Sequence, residues 1–140
     1  AALEKWGRFK PEAELGKTPK EHLQERPGRG GQVFTYVDAI YVMRKLDEAY
    51  GPLWSVDVEL PEGWLIAASK GQVVVKTTIS VKTQAGETRR SQFGSDTIAM
   101  SSTGSPAKEL GDSVKAAATD GLKKAASLFG IARDVYAGEV

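Results

Sequence analysis

The segment from Ser105 to Gly130 constrains the fold more than any other part of the chain. Ser105 suits an N-cap, Pro106 the first helical position and Gly130 the residue just past a helix end. The pattern predicts one long helix. Leu110, Val114, Ala117, Gly121, Ala125 and Leu128 recur at helical spacing as its apolar stripe. The small residues within that stripe permit close packing on whatever it covers. Lys108, Asp112, Lys115 and Thr119 occupy the opposite face, with Lys123 at its edge and Lys124 on another flank. A helix with one apolar stripe must bury it against a second layer.

Three predicted strands supply that layer. Trp54, Val56, Val58 and Leu60 alternate with Ser55, Asp57 and Glu59, the pattern of a half-buried strand. Val73 to Lys82 alternates with the same period of two, and Gln84-Ala85-Gly86-Glu87 turns the chain back into Thr88 to Ser95. Such alternation predicts an antiparallel meander covered on one side. Trp64 to Ser69 reads equally as an extended strand or a turn of helix. Upstream, Tyr36 to Tyr50 predicts a helix whose face is Tyr36, Ala39, Ile40, Met43, Leu46 and Tyr50, ended by Gly51-Pro52. Val37 and Tyr41 fall off that stripe and read as peripheral. Thr18 and Pro19 read as N-cap and first position of a short helix around Lys20 to Arg26. Arg26 to Gly31 reads as a tight glycine-rich loop. The expected fold is α+β: a curved antiparallel three-stranded meander, a long C-terminal helix packed on it, and N-terminal helices. One domain spans 1–140, with 1–19 peripheral or flexible.

Several chemistries find little support. The 140 residues contain no cysteine and one histidine, His22, in a polar segment where exposure is expected. Neither a thiolate nucleophile nor a Cys/His metal cluster is available. A Ser–His–Asp arrangement would have to recruit His22, and Asp57 and Glu59, though on one strand face, are weak evidence of acid–base work. Gly16-Lys17-Thr18 resembles the end of a phosphate-binding loop, but Pro11 stands where the motif needs its first glycine and the upstream segment is polar. No enzyme activity, ATP, metal or other cofactor is expected. No apolar run approaches a membrane span, and no signal peptide is visible.

The net charge of +1 does not itself argue for nucleic acid; its distribution is more useful. Residues 36–62 net −4 and residues 64–95 net +4. This polarity can steer an anionic ligand to one face or pair one subunit's acidic face with another's basic face. Gly28-Arg29-Gly30-Gly31 is flanked by Arg26. Its glycines let the backbone approach a phosphate, and exposed amides there form an anion nest.

The run Lys115 to Gly130, KAAATDGLKKAASLFG, and the stretch Arg26 to Tyr36, RPGRGGQVFTY, together resemble the Rad-fifty-two/Rad-twenty-two family of single-strand annealing proteins, including its DdrA-like bacterial or phage members. The resemblance spans roughly residues 20–137 and is looser in the middle. It implies the β-β-β-α core already read from the residues, single-stranded DNA binding and pairing of complementary strands without ATP. It also implies a homo-oligomeric ring or arc and recombination or repair partners. On the family's motif positions, Arg26 and Tyr36 correspond to residues implicated in strand binding. Lys123 and Lys124 correspond to a basic pair in the DNA groove. Arg29 and Lys115 join this expected site. Lys76, Lys82, Arg89 and Arg90 are candidates for a second, weaker contact; Arg89 and Arg90 fall on opposite faces of a regular strand. Ser127 stands where some members carry a third basic residue. The implied setting is cytoplasmic, nucleoid-associated in a bacterium or in the host cytoplasm for a phage. Two other roles stay open at this point: passive protection of single-stranded ends, and a ring-forming scaffold that recruits a recombinase or nuclease.

Overall fold

Small side chains set how closely the layers meet. In the computed structural model, which describes residues 1–8, 15–98 and 109–138, the long helix lies directly on the meander. The elements are α1 (Ala2–Trp6), β1 (Leu23–Pro27), β2 (Val33–Val37), α2 (Ala39–Tyr50), β3 (Trp54–Glu59), α3 (Trp64–Ser69), β4 (Gln72–Thr83), β5 (Gly86–Thr97), α4 (Leu110–Ser127) and α5 (Arg133–Tyr136). The expected α+β architecture is what the chain adopts. β3, β4 and β5 form an antiparallel sheet in that order, and β1 pairs with β2 as a separate hairpin.

The inward row of β4, Val73, Val75, Thr77, Ile79 and Val81, is fully buried. Ser113, Ala117, Gly121 and Ala125 of α4 are buried too. These small residues bring the helix axis close to the sheet. The expected helix start at Ser105 and Pro106, and Lys108, lie outside the described residues; α4 begins at Leu110 after Glu109. At the other end Gly130 performs the expected stop with φ 100°. Its N–H donates to Ser127 (3.0 Å) and that of Ile131 to Ala126 (3.2 Å), the paired bonds of a glycine-terminated helix.

β3 departs from expectation. Val56 and Val58 lie opposite Ile79 and Thr77 on the inner side of the sheet. They nevertheless remain 41% and 45% exposed, because α4 lies over β4 and β5 and stops short of this edge strand. Only Trp54 of this row packs against the core. Trp64 to Ser69 resolves as helix α3, with Leu65 and Ile66 exposed.

α2 starts three residues later than expected. Asp38 takes the N-cap, its carboxylate accepting the Tyr41 N–H at 2.7 Å, and Tyr36 belongs to β2 instead. The buried face is Tyr41, Val42, Leu46, Ala49 and Tyr50, while Ile40 is 60% exposed. Val37 and Tyr41, read as peripheral, are core residues. α2 has apolar residues on two faces, and the core selects the one that meets the C-terminal part of α4.

The Lys20–Arg26 helix is corrected to a single 3₁₀ turn, Lys20–His22, followed by β1. A helix over this polar stretch would bury almost nothing. Antiparallel pairing with the β-branched and aromatic residues of β2, in register from Leu23↔Val37 to Pro27↔Val33, gives this stretch backbone partners instead. Of the N-terminal residues expected to be peripheral or flexible, Leu15, Gly16 and Thr18 are buried and Lys17 is exposed. Leu15 enters the main core, and Thr18 donates its N–H and hydroxyl to Asp134 at 2.8 and 2.7 Å.

Candidate nucleic-acid interface

The β1–β2 hairpin stands beside α4 because the chain must pass from β2 through Asp38 into α2. Within the hairpin, Arg26 lies opposite Phe34 and Gln24 opposite Tyr36. Directly opposed residues share a face, so Arg26, Phe34 and Tyr36 project on the same side. Gly28 permits this arrangement: a Cβ there would overlap the Phe34 ring. At the tip, Gly30 and Gly31 take φ values of 68° and 77°, the left-handed region that favours glycine.

The face opens onto a cleft of about 540 Å³. Its walls are the hairpin, the end of β5 at Ser95 and Asp96, and the polar side of α4 from Lys115 to Lys124; Tyr136 of α5 contributes as well. Four expected residues from two distant segments of the sequence, Arg26 and Tyr36 of the hairpin and Lys123 and Lys124 of α4, meet here, and Lys115 lines the same space. The Tyr36 ring is the meeting point. The Arg26 guanidinium lies 5.7 Å from its centroid and the Lys123 ammonium 5.3 Å. Both are within cation–π range. A second opening of about 600 Å³, lined by Pro27, Gly28, Gln32 and Thr97, shares Arg26 and Phe34 with the first. Arg29 belongs to the hairpin-tip turn; its side chain lies outside the described residues.

Electrostatics distinguish the two lysines. Partial burial pushes the Lys123 ammonium below its usual range; Asp120 opposes the shift and Arg26 adds to it. Lys124 is ion-paired to Asp120 at 2.9 Å, and the same Asp120 oxygen accepts the Ser95 N–H at 3.0 Å. Burial and the nearby Asp120 charge raise the Tyr136 hydroxyl above its ordinary value.

The second-contact candidates separate. Lys76, Lys82 and Arg89 share the outer face of the sheet, where Lys76 lies opposite Glu59 and Phe93, and Lys82 opposite Glu87. Arg89 approaches Glu87 at 3.8 Å. Arg90 points the other way: it donates to the Leu128 carbonyl at the end of α4 and lies 4.8 Å over the Phe129 ring. It is a structural cation at a helix C-terminus and leaves the candidate surface. The decoy phosphate motif is likewise engaged elsewhere, since the Thr18 hydroxyl is bound to Asp134. His22, expected to be exposed, is half-buried; it meets Asp38 at 3.1 Å and stacks on Tyr41 with centroids 4.6 Å apart.

Sequence reasoning missed Phe34 and Asp120. Phe34 is 50% exposed in the cleft. Its signal was the period of two across Val33–Val37, which places it on the Tyr36 face once that segment is a strand. Asp120 sits between Lys115 and the Lys123–Lys124 pair on α4, but its contact with Ser95 joins elements that sequence does not align.

No His/Cys/Asp/Glu group able to hold a metal ion occurs among the described residues. No helix among them is long and apolar enough to cross a membrane. A family model described as Rad52/22 family double-strand break repair protein matches residues 12–139. No curated protein matches the chain.

Proposed function

The chain belongs to the Rad52/22 family of double-strand break repair proteins, and from that premise we propose that it binds single-stranded DNA in the Tyr36 cleft and anneals complementary strands without ATP. Membership carries repair, recombination, single-strand annealing and oligomerisation in general terms. The finer reading rests on one observation: Arg26 and Lys123, from the hairpin and the long helix, converge on the same Tyr36 ring.

The mechanism is electrostatic. Arg26 and Lys123 engage backbone phosphates, with Lys115 along the same wall, and reduce the repulsion between two approaching strands. Cations at this spacing read the backbone and leave base edges free. Phe34 offers an apolar ring against which a base can stack. The proposed species is a homo-oligomeric ring or arc, with one domain over 1–140 carrying both DNA binding and self-association. The uncovered apolar residues of β3 and α3 support self-association. Repetition of the cleft would multiply each short contact by effective concentration.

The test is the renaturation rate of complementary oligonucleotides, with and without protein, in the absence of nucleotide and divalent metal. Faster pairing is expected. Binding and nuclease protection without faster pairing would replace annealing by passive protection. Partner binding without DNA binding would replace it by the scaffold role.

A further inference from the structure

The two adjacent lysines of the cleft are not equivalent. Lys123 lies over the Tyr36 ring and has no carboxylate within ion-pair distance among the described residues. Lys124 is held at 2.9 Å by Asp120 Oδ2. That oxygen also accepts the backbone N–H of Ser95 at 3.0 Å. An ammonium and a backbone amide converging on one anionic oxygen are the donors that commonly bind a phosphate oxygen. An ordinary i,i+4 surface pair would involve only its own helix. Here a donor from β5 joins it, and all three groups line the cleft.

We propose that Asp120 is a resident phosphate mimic: its carboxylate occupies one phosphate position, withholds Lys124 from the incoming strand, and weakens the grip on single-stranded DNA enough for the annealed product to leave. This rests on the reading of the cleft as a phosphate-binding groove. A fixed negative charge in such a groove repels the polyanion, and partial burial reduces its screening by salt. The reach of that charge is visible at Lys123 and Tyr136, where it acts on both side chains. Annealing requires release as well as capture, so a groove with every cation free would hold its product.

The test uses Asp120→Asn, which retains an acceptor for the Ser95 amide and removes the charge. Binding of a labelled oligothymidylate is measured by anisotropy across a salt series, beside the wild type. The variant is expected to bind on the order of tenfold tighter at low salt, with a salt slope steeper by about 0.7 as Lys124 joins the contact. Lys124→Ala is expected to cost more affinity in the Asp120→Asn background than in the wild type. Annealed duplex is expected to leave the variant more slowly. A variant no tighter than wild type, or equal costs of Lys124→Ala in both backgrounds, overturns the proposal while leaving the cleft reading intact. A wild type that binds no single strand overturns the reading and the proposal together. Asp120→Ala is the second neutral variant. If neither folds, the carboxylate is a structural bridge between β5 and α4, and the proposal falls.

Discussion

Gly94 of β5 and Gly121 of α4 meet backbone to backbone. A Cβ built on Gly94 would overlap the Ala117 carbonyl and the Gly121 amide, and one built on Gly121 would overlap the Thr77 hydroxyl. This contact fixes the depth at which the long helix sits on the sheet. Lys115 to Lys124 extend from the same helix, so it also sets the position of one cleft wall.

The two glycines should respond differently to alanine. Gly121→Ala gains about 0.8–1 kcal/mol of helix propensity against an overpacking cost of about 1–3 kcal/mol, and its nearest obstacle is the Thr77 side chain, with the Gly94 amide farther off. Gly94→Ala meets backbone that cannot step aside and gains no helix propensity. Urea denaturation should show both variants less stable, with Gly94→Ala the worse. The reverse order would mean that the helix rides higher than described.

Arg26 and Lys123 supply the binding test. Replacing either with alanine should weaken single-strand affinity and lower the salt slope by about 0.7, the value for one phosphate contact. Folding and oligomer size should stay intact. Lys17→Ala, in the decoy motif, should be nearly silent. Loss confined to Lys17→Ala would remove the proposed site and leave the fold and family standing.

Phe34→Ala should act by a different route. Loss of a stacking ring costs about 1–3 kcal/mol per base, yet a neutral ring releases no counterions. Affinity should fall while the salt slope stays at its wild-type value. A changed slope would show that the substitution had displaced Arg26, its cross-strand neighbour.

Asp38 links the hairpin to α2 and should give the protein an acid-sensitive step. Burial pushes its carboxyl up, but the Tyr41 amide, His22 and the Ile40 amide together bring it below its ordinary value. A depressed folded-state pKa stabilises the fold above the unfolded value of 3.8. That stabilisation is lost as pH falls through the folded value. Asp38→Ala should therefore lower thermal stability near neutral pH by about 0.5–2 kcal/mol, the usual worth of such a cap. The gap to wild type should narrow at strongly acidic pH. A gap that persisted unchanged there would assign the cost to packing instead.

The long helix and the meander were legible in the sequence because local periodicity reports them directly. A spacing of three and four over Leu110 to Leu128, and a period of two over Val73 to Lys82, each admit one regular element. Arg26, Tyr36, Lys123 and Lys124 were legible through the family resemblance. The path of residues 20–27 was not. That polar segment becomes a strand only because β2 is there to pair with it.

Tertiary packing decided which apolar faces are covered. Periodicity shows that Val56 and Val58 alternate with polar residues; only the placement of α4 determines that they stay exposed. It marks apolar positions on two faces of α2; only contact with the C-terminal half of α4 selects Val42, Leu46 and Tyr50 over Ile40. The pairing of Asp120 with both Lys124 and Ser95 follows from the same cause. A side chain's neighbours along the helix are fixed by the local repeat, whereas its neighbour across the layer depends on how closely two backbones approach. In this chain that approach is set by glycine against glycine.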